Sequence, residues 1–386
     1  MKRFGSLTGR AILFLLFMWF VWILNFTTRS ILSPVLPLIE DEFNVTHARA
    51  TSIFTFTALG YAPTVFFSSV YTKMLGHRKS VMLSIVLLGL ACLAIPLVHI
   101  FNLFYAITLV LGVGAGLYIP AVIPLLTEYY EEKDWGKVIA VHDSGAQISI
   151  AVTPFLALLL LLFLPWRGIF LVLGLALLCC AAIFYANSEE THVLGSPRYF
   201  RWELLKSKPL WIVALIWTFM AGSTMGLYYV APLYLTKELG LTVQKANTIF
   251  GISRIGGAIV GISSGFLVDR FRSDKFVLPL VVVTGLLTML VAVKDVWWIQ
   301  VFLFFQAVIS AAFYPISLVR VSRMFDAESR GQAIGFLITL GVVGLATIPY
   351  LLGVSGDLIS FRVGFVALGA LTALSAGLLY FLREQR

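Results

Sequence analysis

Two arginines, Arg29 and Arg254, stand inside long apolar runs of this sequence. An arginine placed in hydrocarbon costs about 3 kcal/mol on insertion scales, so each is a candidate functional group. A guanidinium stays charged and offers a planar fork that grips a carboxylate with two parallel hydrogen bonds. The one carboxylate within the same runs is Asp143, beside His142. Two arginines against one aspartate leave a net positive interior, and a small anionic solute is the counter-ion this chemistry asks for. The competing reading, arginines that bind carbonyls and lock helices together, has few acidic neighbours to draw on. His142 and Asp143 form the candidate proton-coupling site, because imidazole titrates near neutrality. Read blandly, the two are ordinary polar residues near a helix end. Tyr118, Tyr228, Tyr229, Tyr314, Gln147 and Gln306 are further polar side chains within apolar runs that can hydrogen-bond a carboxylate. Tyrosines there also serve as packing or interfacial anchors.

The elements that position these residues follow from composition. Of 386 residues, 60% are hydrophobic and 12% charged, where a soluble domain carries about 25% charged. Apolar stretches long enough to cross a bilayer as helices recur along the chain. They are continuously apolar rather than alternating, which favours helices over barrel strands. The expected spans are 11–36, 48–72, 80–100, 103–127, 137–163, 168–187, 210–235, 246–268, 276–293, 297–321, 332–354 and 362–382. This is an all-α polytopic membrane protein with twelve transmembrane helices. The run from Ala11 is longer than the apolar core of a signal peptide and reads as an uncleaved first helix. Cys92, Cys179 and Cys180 fall within apolar runs and suggest neither a disulfide nor a metal framework.

The net charge of +9 is an orientation signal and not a nucleic-acid footprint. Twenty of the 28 Lys and Arg residues fall at the termini and in the loops on their side. Six lie opposite: Arg49, Arg167, Lys237, Lys245, Lys294 and Arg362. That bias puts both termini in the cytoplasm, in an integral membrane protein expected in the cytoplasmic membrane of a prokaryote.

The second half repeats the first at an offset of 195–196 residues. Pro120 matches Pro315, Gly136 matches Gly331, Pro154 matches Pro349, Arg167 matches Arg362 and Gly174 matches Gly369. Shared apolar composition does not align Pro, Gly and Arg in one register. Two six-helix halves, 1–188 and 210–386, joined by a cytoplasmic linker at 189–209, imply a pseudo-twofold axis along the membrane normal and a solute site at the midplane. Gly256, Gly257, Gly261 and Gly265 read as close helix packing, whereas Gly112, Gly114 and Gly116, two apart, do not line one helical face.

This organisation resembles the major facilitator superfamily. The stretch Gly265-Phe-Leu-Val-Asp269-Arg270-Phe-Arg272-Ser-Asp274-Lys275 is similar to its G-x-L-x-D-R-x-G-R-R loop, with Arg272 and Asp274 in place of the later Gly and Arg. The first-half counterpart, Lys73 to Lys79, has Lys where Asp is usual. The repeat pairs Lys73 with Asp269 and Glu128 with Arg323, so both positions reverse sign together. A cytoplasmic gate of two ion pairs, Lys73 with Glu128 and Asp269 with Arg323, with Arg270 beside them, is the expectation. A helix-eight arginine resembles the substrate-binding arginine of monocarboxylate transporters and of the oxalate/formate exchanger group. Asn25-Phe-Thr-Thr28-Arg29-Ser-Ile-Leu-Ser33 resembles the N-Y-x-D-R-x-x-L-S pattern of anion:cation symporters, with Thr28 where that pattern has Asp. Phe250 stands where monocarboxylate carriers tend to have an acid.

A secondary carrier for a mono- or dicarboxylate, working by alternating access through proton symport or anion exchange, is the function these features imply. A proton-coupled exporter of drugs or hydrophobic metabolites is the alternative. Residues 150–158 around Pro154 lack the glycine-rich antiporter pattern, which counts against it. No nucleotide-binding loop is present, and no nucleophile or metal constellation suggests an enzyme or a cofactor. The family resemblance implies a monomer whose partners are the solute, protons and membrane lipid.

Overall fold

The computed structural model describes residues 4, 7–189, 202–263, 276–325 and 330–382, and among these the secondary structure is helical, without strands. Twelve helical segments follow one another: α1 Arg10–Phe43, α2 His47–Phe66 continued by Ser68–Leu75, α3 His77–Leu97, α4 Phe101–Tyr129, α5 Glu132–Leu161, α6 Trp166–Asn187, α7 Lys208–Lys237, α8 Val243–Ile262, α9 Val277–Leu290, α10 Val296–Val321, α11 Gln332–Leu358 and α12 Phe361–Phe381. Each coincides with one of the expected spans. Among the described residues, nine are by themselves long and apolar enough to cross a membrane, and α2 makes a tenth as a pair bent by 66°. Gln244, Lys245, Asn247 and Arg254 dilute the apolar character of α8. Most of the linker, and the loop holding Asp269, Arg270, Arg272, Asp274 and Lys275, lie outside the described residues.

Local chemistry sets the joints. Asn44, at φ 48°, adopts the left-handed conformation that its short polar side chain tolerates, and the chain turns from α1 into α2. The bend of α2 falls at Phe67, between the stretches His47–Phe66 and Ser68–Leu75. Thr242 caps α8, Asp295 caps α10 and Ser360 caps α12 through their side-chain oxygens, each satisfying a backbone N–H that the first helical turn leaves open.

The chain divides into two compact units, Met1–Leu32 with Phe56–Arg198, and Ser33–Thr55 with Tyr199–Arg386. Within the first, α1 packs on α5, and α3 on α4 and α6; within the second, α7 packs on α11, and α9 on α10 and α12. The two schemes repeat residue for residue at one crossing. A Cβ on Gly89 or on Gly174 would lie 3.3 or 2.9 Å from the other's carbonyl oxygen, and on Gly285 or Gly369 2.5 Å from the other's. These contacts, 195–196 positions apart, require glycine because two backbones meet there. As expected, the three α4 glycines do not line one face. Gly112 and Gly116, four residues apart, both face α2, where added Cβ atoms would meet the Thr57 and Tyr61 carbonyl oxygens at 2.0 and 2.9 Å, while Gly114 faces Leu87 and Leu88 of α3.

In the second unit, residues 33–55 are tied to the helices that follow Tyr199. Ser33 donates to the Tyr228 carbonyl at 2.7 Å, and Asn247 Nδ2 to the Pro34 carbonyl at 3.0 Å. The Asp357 carboxylate accepts from the backbone N–H groups of His47 and Ala48, both at 2.8 Å, capping the start of α2 from α11.

Candidate functional site

Arg254 lies in the middle of α8 and is 3% exposed. Its Cζ sits 5.0 Å from the Phe250 ring centroid and 5.7 Å from that of Tyr228. Phe250 is one turn earlier on α8, at the spacing that puts two side chains on one helical face. Tyr228 comes from α7, and the two rings pack at 4.8 Å. Ring faces attract a cation but accept no conventional hydrogen bond from it. Nε and Nη2 of Arg254 have no hydrogen-bond partner among the described residues. A buried guanidinium with unsatisfied donors is costly, and an anion delivering two oxygens would meet them. Tyr229 points elsewhere and stacks on Phe54 at 4.1 Å.

Gln306 and Tyr314 converge on a different stretch of α7. Residues Gly222–Gly226 form a single π-helical turn, a feature frequent at functional sites because its wider winding re-aims backbone groups. Gln306 Nε2 donates to the Ser223 carbonyl at 2.7 Å, and Tyr314 reaches the Thr224 hydroxyl at 3.4 Å. Gln306 is fully buried and its Oε1 has no partner.

In the first unit, Arg29 is half-buried at the end of the first stretch of α1. Its Cζ lies 4.3 Å from the Phe26 centroid, 5.0 Å from Tyr61 and 6.0 Å from Trp22, and its Nε has no partner. Trp22 stacks on Tyr118 at 5.2 Å and on His142 at 5.8 Å. The Tyr118 hydroxyl lies 3.2 Å from His142 Nε2, so the structure brings these two together. His142 is fully buried, whereas the side chain of Asp143 is 61% exposed and its Oδ1 is 3.7 Å from His142 Nδ1. Successive residues point about 100° apart, and α5 turns His142 inward and Asp143 outward. Gln147 is half-buried on the same helix.

At the gate positions, Glu128 Oε1 stands 3.8 Å from His77 Nε2. Lys73 is exposed at the end of α2. Arg323 is exposed just past Val321 of α10, in the same helix, and its expected partner Asp269, with the gate residue Arg270, is outside the described residues.

Sequence reasoning missed the π turn, for which Gly222-Ser-Thr-Met-Gly226 was the available signal. It also missed the hydroxyl seam between α1 and α5, where Thr27 meets Ser149 at 2.9 Å and Ser30 meets Thr153 at 3.1 Å. The three-to-four-residue spacing of these hydroxyls on each helix was legible; their pairing was not.

Residues 18–293 and 220–386 match the family model of the Major Facilitator Superfamily. The cis,cis-muconate transport protein of Acinetobacter baylyi is 23% identical over 388 residues, covering 96% of this chain and 93% of that protein. The hexuronate transporter of Bacillus subtilis is 21% identical over 399 residues, covering 94% and 92%. Among solved structures, a bacterial homologue of the human lysosomal transporter Spinster superposes with a TM-score of 0.80 at 15% identity, covering 95% of each chain.

Proposed function

From the premise that this chain belongs to the major facilitator superfamily, an integral membrane transporter and not an enzyme, we propose that it is a secondary carrier of a small organic anion, a mono- or dicarboxylate. The observation that carries this reading is Arg254: 3% exposed, ringed by Phe250 and Tyr228, with two N–H donors unmet. Arg29, equally surrounded by rings, supports it from the first unit. The muconate and hexuronate transporters it resembles both carry carboxylates, and the same cargo class suits these guanidinium groups.

The solute drives alternating access, by proton symport or anion exchange, between halves 1–188 and 210–386 of a monomer. Both termini lie in the cytoplasm, under the cytoplasmic membrane of a prokaryote. Lys73, Glu128, Asp269, Arg270 and Arg323 belong to the cytoplasmic gate, with His77 beside Glu128 as an added member. His142 is the coupling residue we favour within the His142–Asp143 pair, because it is the buried one.

The test is uptake of labelled carboxylates and of lipophilic cationic dyes by purified protein in liposomes. Carboxylate uptake that is abolished by Arg254→Ala, and reduced by Arg29→Ala, is the expected result. Accumulation of the dyes with indifference to every carboxylate would sink the anion reading in favour of an exporter.

A further inference from the structure

The second unit holds a buried acceptor as well as buried donors. Gln306 is fully buried, and its amide orientation is set by the bond it makes: facing the Ser223 carbonyl, only the nitrogen can donate. The oxygen is therefore the atom left over, and it has no hydrogen-bond partner. An unmet buried carbonyl oxygen calls for a donor, which a carboxylate does not have.

Gln306 and Arg254 lie on two helices whose backbones meet beside them. A Cβ on Gly257, one turn beyond Arg254 on α8, would lie 3.0 Å from the carbonyl oxygen of Ala307, the residue after Gln306 on α10. The meeting point is thus one helical turn along α8 from Arg254, about 5 Å, and one residue along α10 from Gln306. On the third side, Ser223, which holds the glutamine, precedes Tyr228, which faces the arginine, by little more than a turn of α7. The other short hydroxyls on these faces are occupied. Ser223 pairs with Thr372 at 2.7 Å, Thr224 donates to the Met220 carbonyl at 2.7 Å, and Ser253 to that of Phe250 at 2.6 Å.

We propose that the solute is a hydroxycarboxylate, its carboxylate on Nε and Nη2 of Arg254 and a hydroxyl of the same molecule donating to Gln306 Oε1. This rests on the carboxylate reading above and adds a specificity-determining residue to it. An analogue lacking the hydroxyl leaves the glutamine oxygen buried and unmet, which is the discrimination that polar pockets perform best.

Matched pairs test it on the full-length protein in detergent and in liposomes: lactate against propionate, and malate against succinate, by titration calorimetry and by competition for uptake. The hydroxylated member of at least one pair is expected to bind about ten-fold or more tightly. Gln306→Met should close that gap by lowering the hydroxylated acid's affinity toward that of the deoxy acid. Gln306→Asn, shorter by one methylene, should narrow it. Should loss of the Ser223 bond unfold either variant, the wild-type comparison still decides. Carboxylates bound without preference for the hydroxyl, or a preference untouched in folded Gln306→Met, overturn the inference and leave the anion reading standing. Failure of wild type to bind any of the four acids overturns both.

Discussion

The hydroxyl of Tyr118 lies 3.1 Å from the Met18 carbonyl oxygen and 3.2 Å from Nε2 of His142. A hydroxyl has one proton. Given to the carbonyl, it leaves the oxygen to accept from the imidazole, so the network assigns His142 the tautomer with hydrogen on Nε2. Nδ1 then carries the lone pair and has no hydrogen-bond partner in a fully buried site.

Tyr118→Phe removes the acceptor of the Nε2 hydrogen. It should lower stability by about 1–3 kcal/mol and change the dependence of uptake on external pH. Asp143→Asn, at a 61% exposed side chain, should leave that dependence nearly unchanged. Uptake against pH and thermal melting of both variants check this. Coupling that survives Tyr118→Phe but fails in Asp143→Asn would move the proton site to the aspartate.

Arg254→Leu should abolish carboxylate uptake without lowering the melting temperature, because it removes an unsatisfied buried charge rather than a satisfied one. Arg167 is the contrast: its Nη1 donates to the carbonyls of Ile95 and Pro96 at 3.2 and 3.4 Å. Arg167→Leu should cost about 1 kcal/mol. A large melting loss in Arg254→Leu would mark that arginine as structural.

Gly369→Ala puts a methyl 2.5 Å from the Gly285 carbonyl oxygen and 2.5 Å from Met289 Cγ. Backbone cannot give way as a side chain does, so a loss of about 3 kcal/mol and a fall in monodisperse yield are expected. Gly335→Ala, on α11 with nothing near its Cβ, should be neutral or stabilising by up to about 1 kcal/mol. Size-exclusion profiles of the two variants measure the difference.

Asp357→Ala removes the acceptor of two N–H groups at the start of α2. A capping loss of about 1 kcal/mol is expected, with Asp357→Asn recovering part of it. Equal melting of all three proteins would show that water replaces the carboxylate at no cost.

By itself the sequence determined the helices, their number and the presence of a repeat. The reason is the solvent: hydrocarbon satisfies no backbone group, so every span must be a long apolar helix, and such runs are visible without a structure. It also singled out Arg254 and Arg29, since charge in an apolar run stands out by composition alone. Tertiary structure decided what each polar group meets. That His142 turns inward and Asp143 outward, that Gly112 and Gly116 meet the backbone of α2, and that Gln306 finds the Ser223 carbonyl and keeps its oxygen unmet all depend on helix rotation and on a π turn in α7. Those are set by how neighbouring helices pack, and a one-dimensional pattern of apolar residues nearly uniform around each helix has no preferred side to announce.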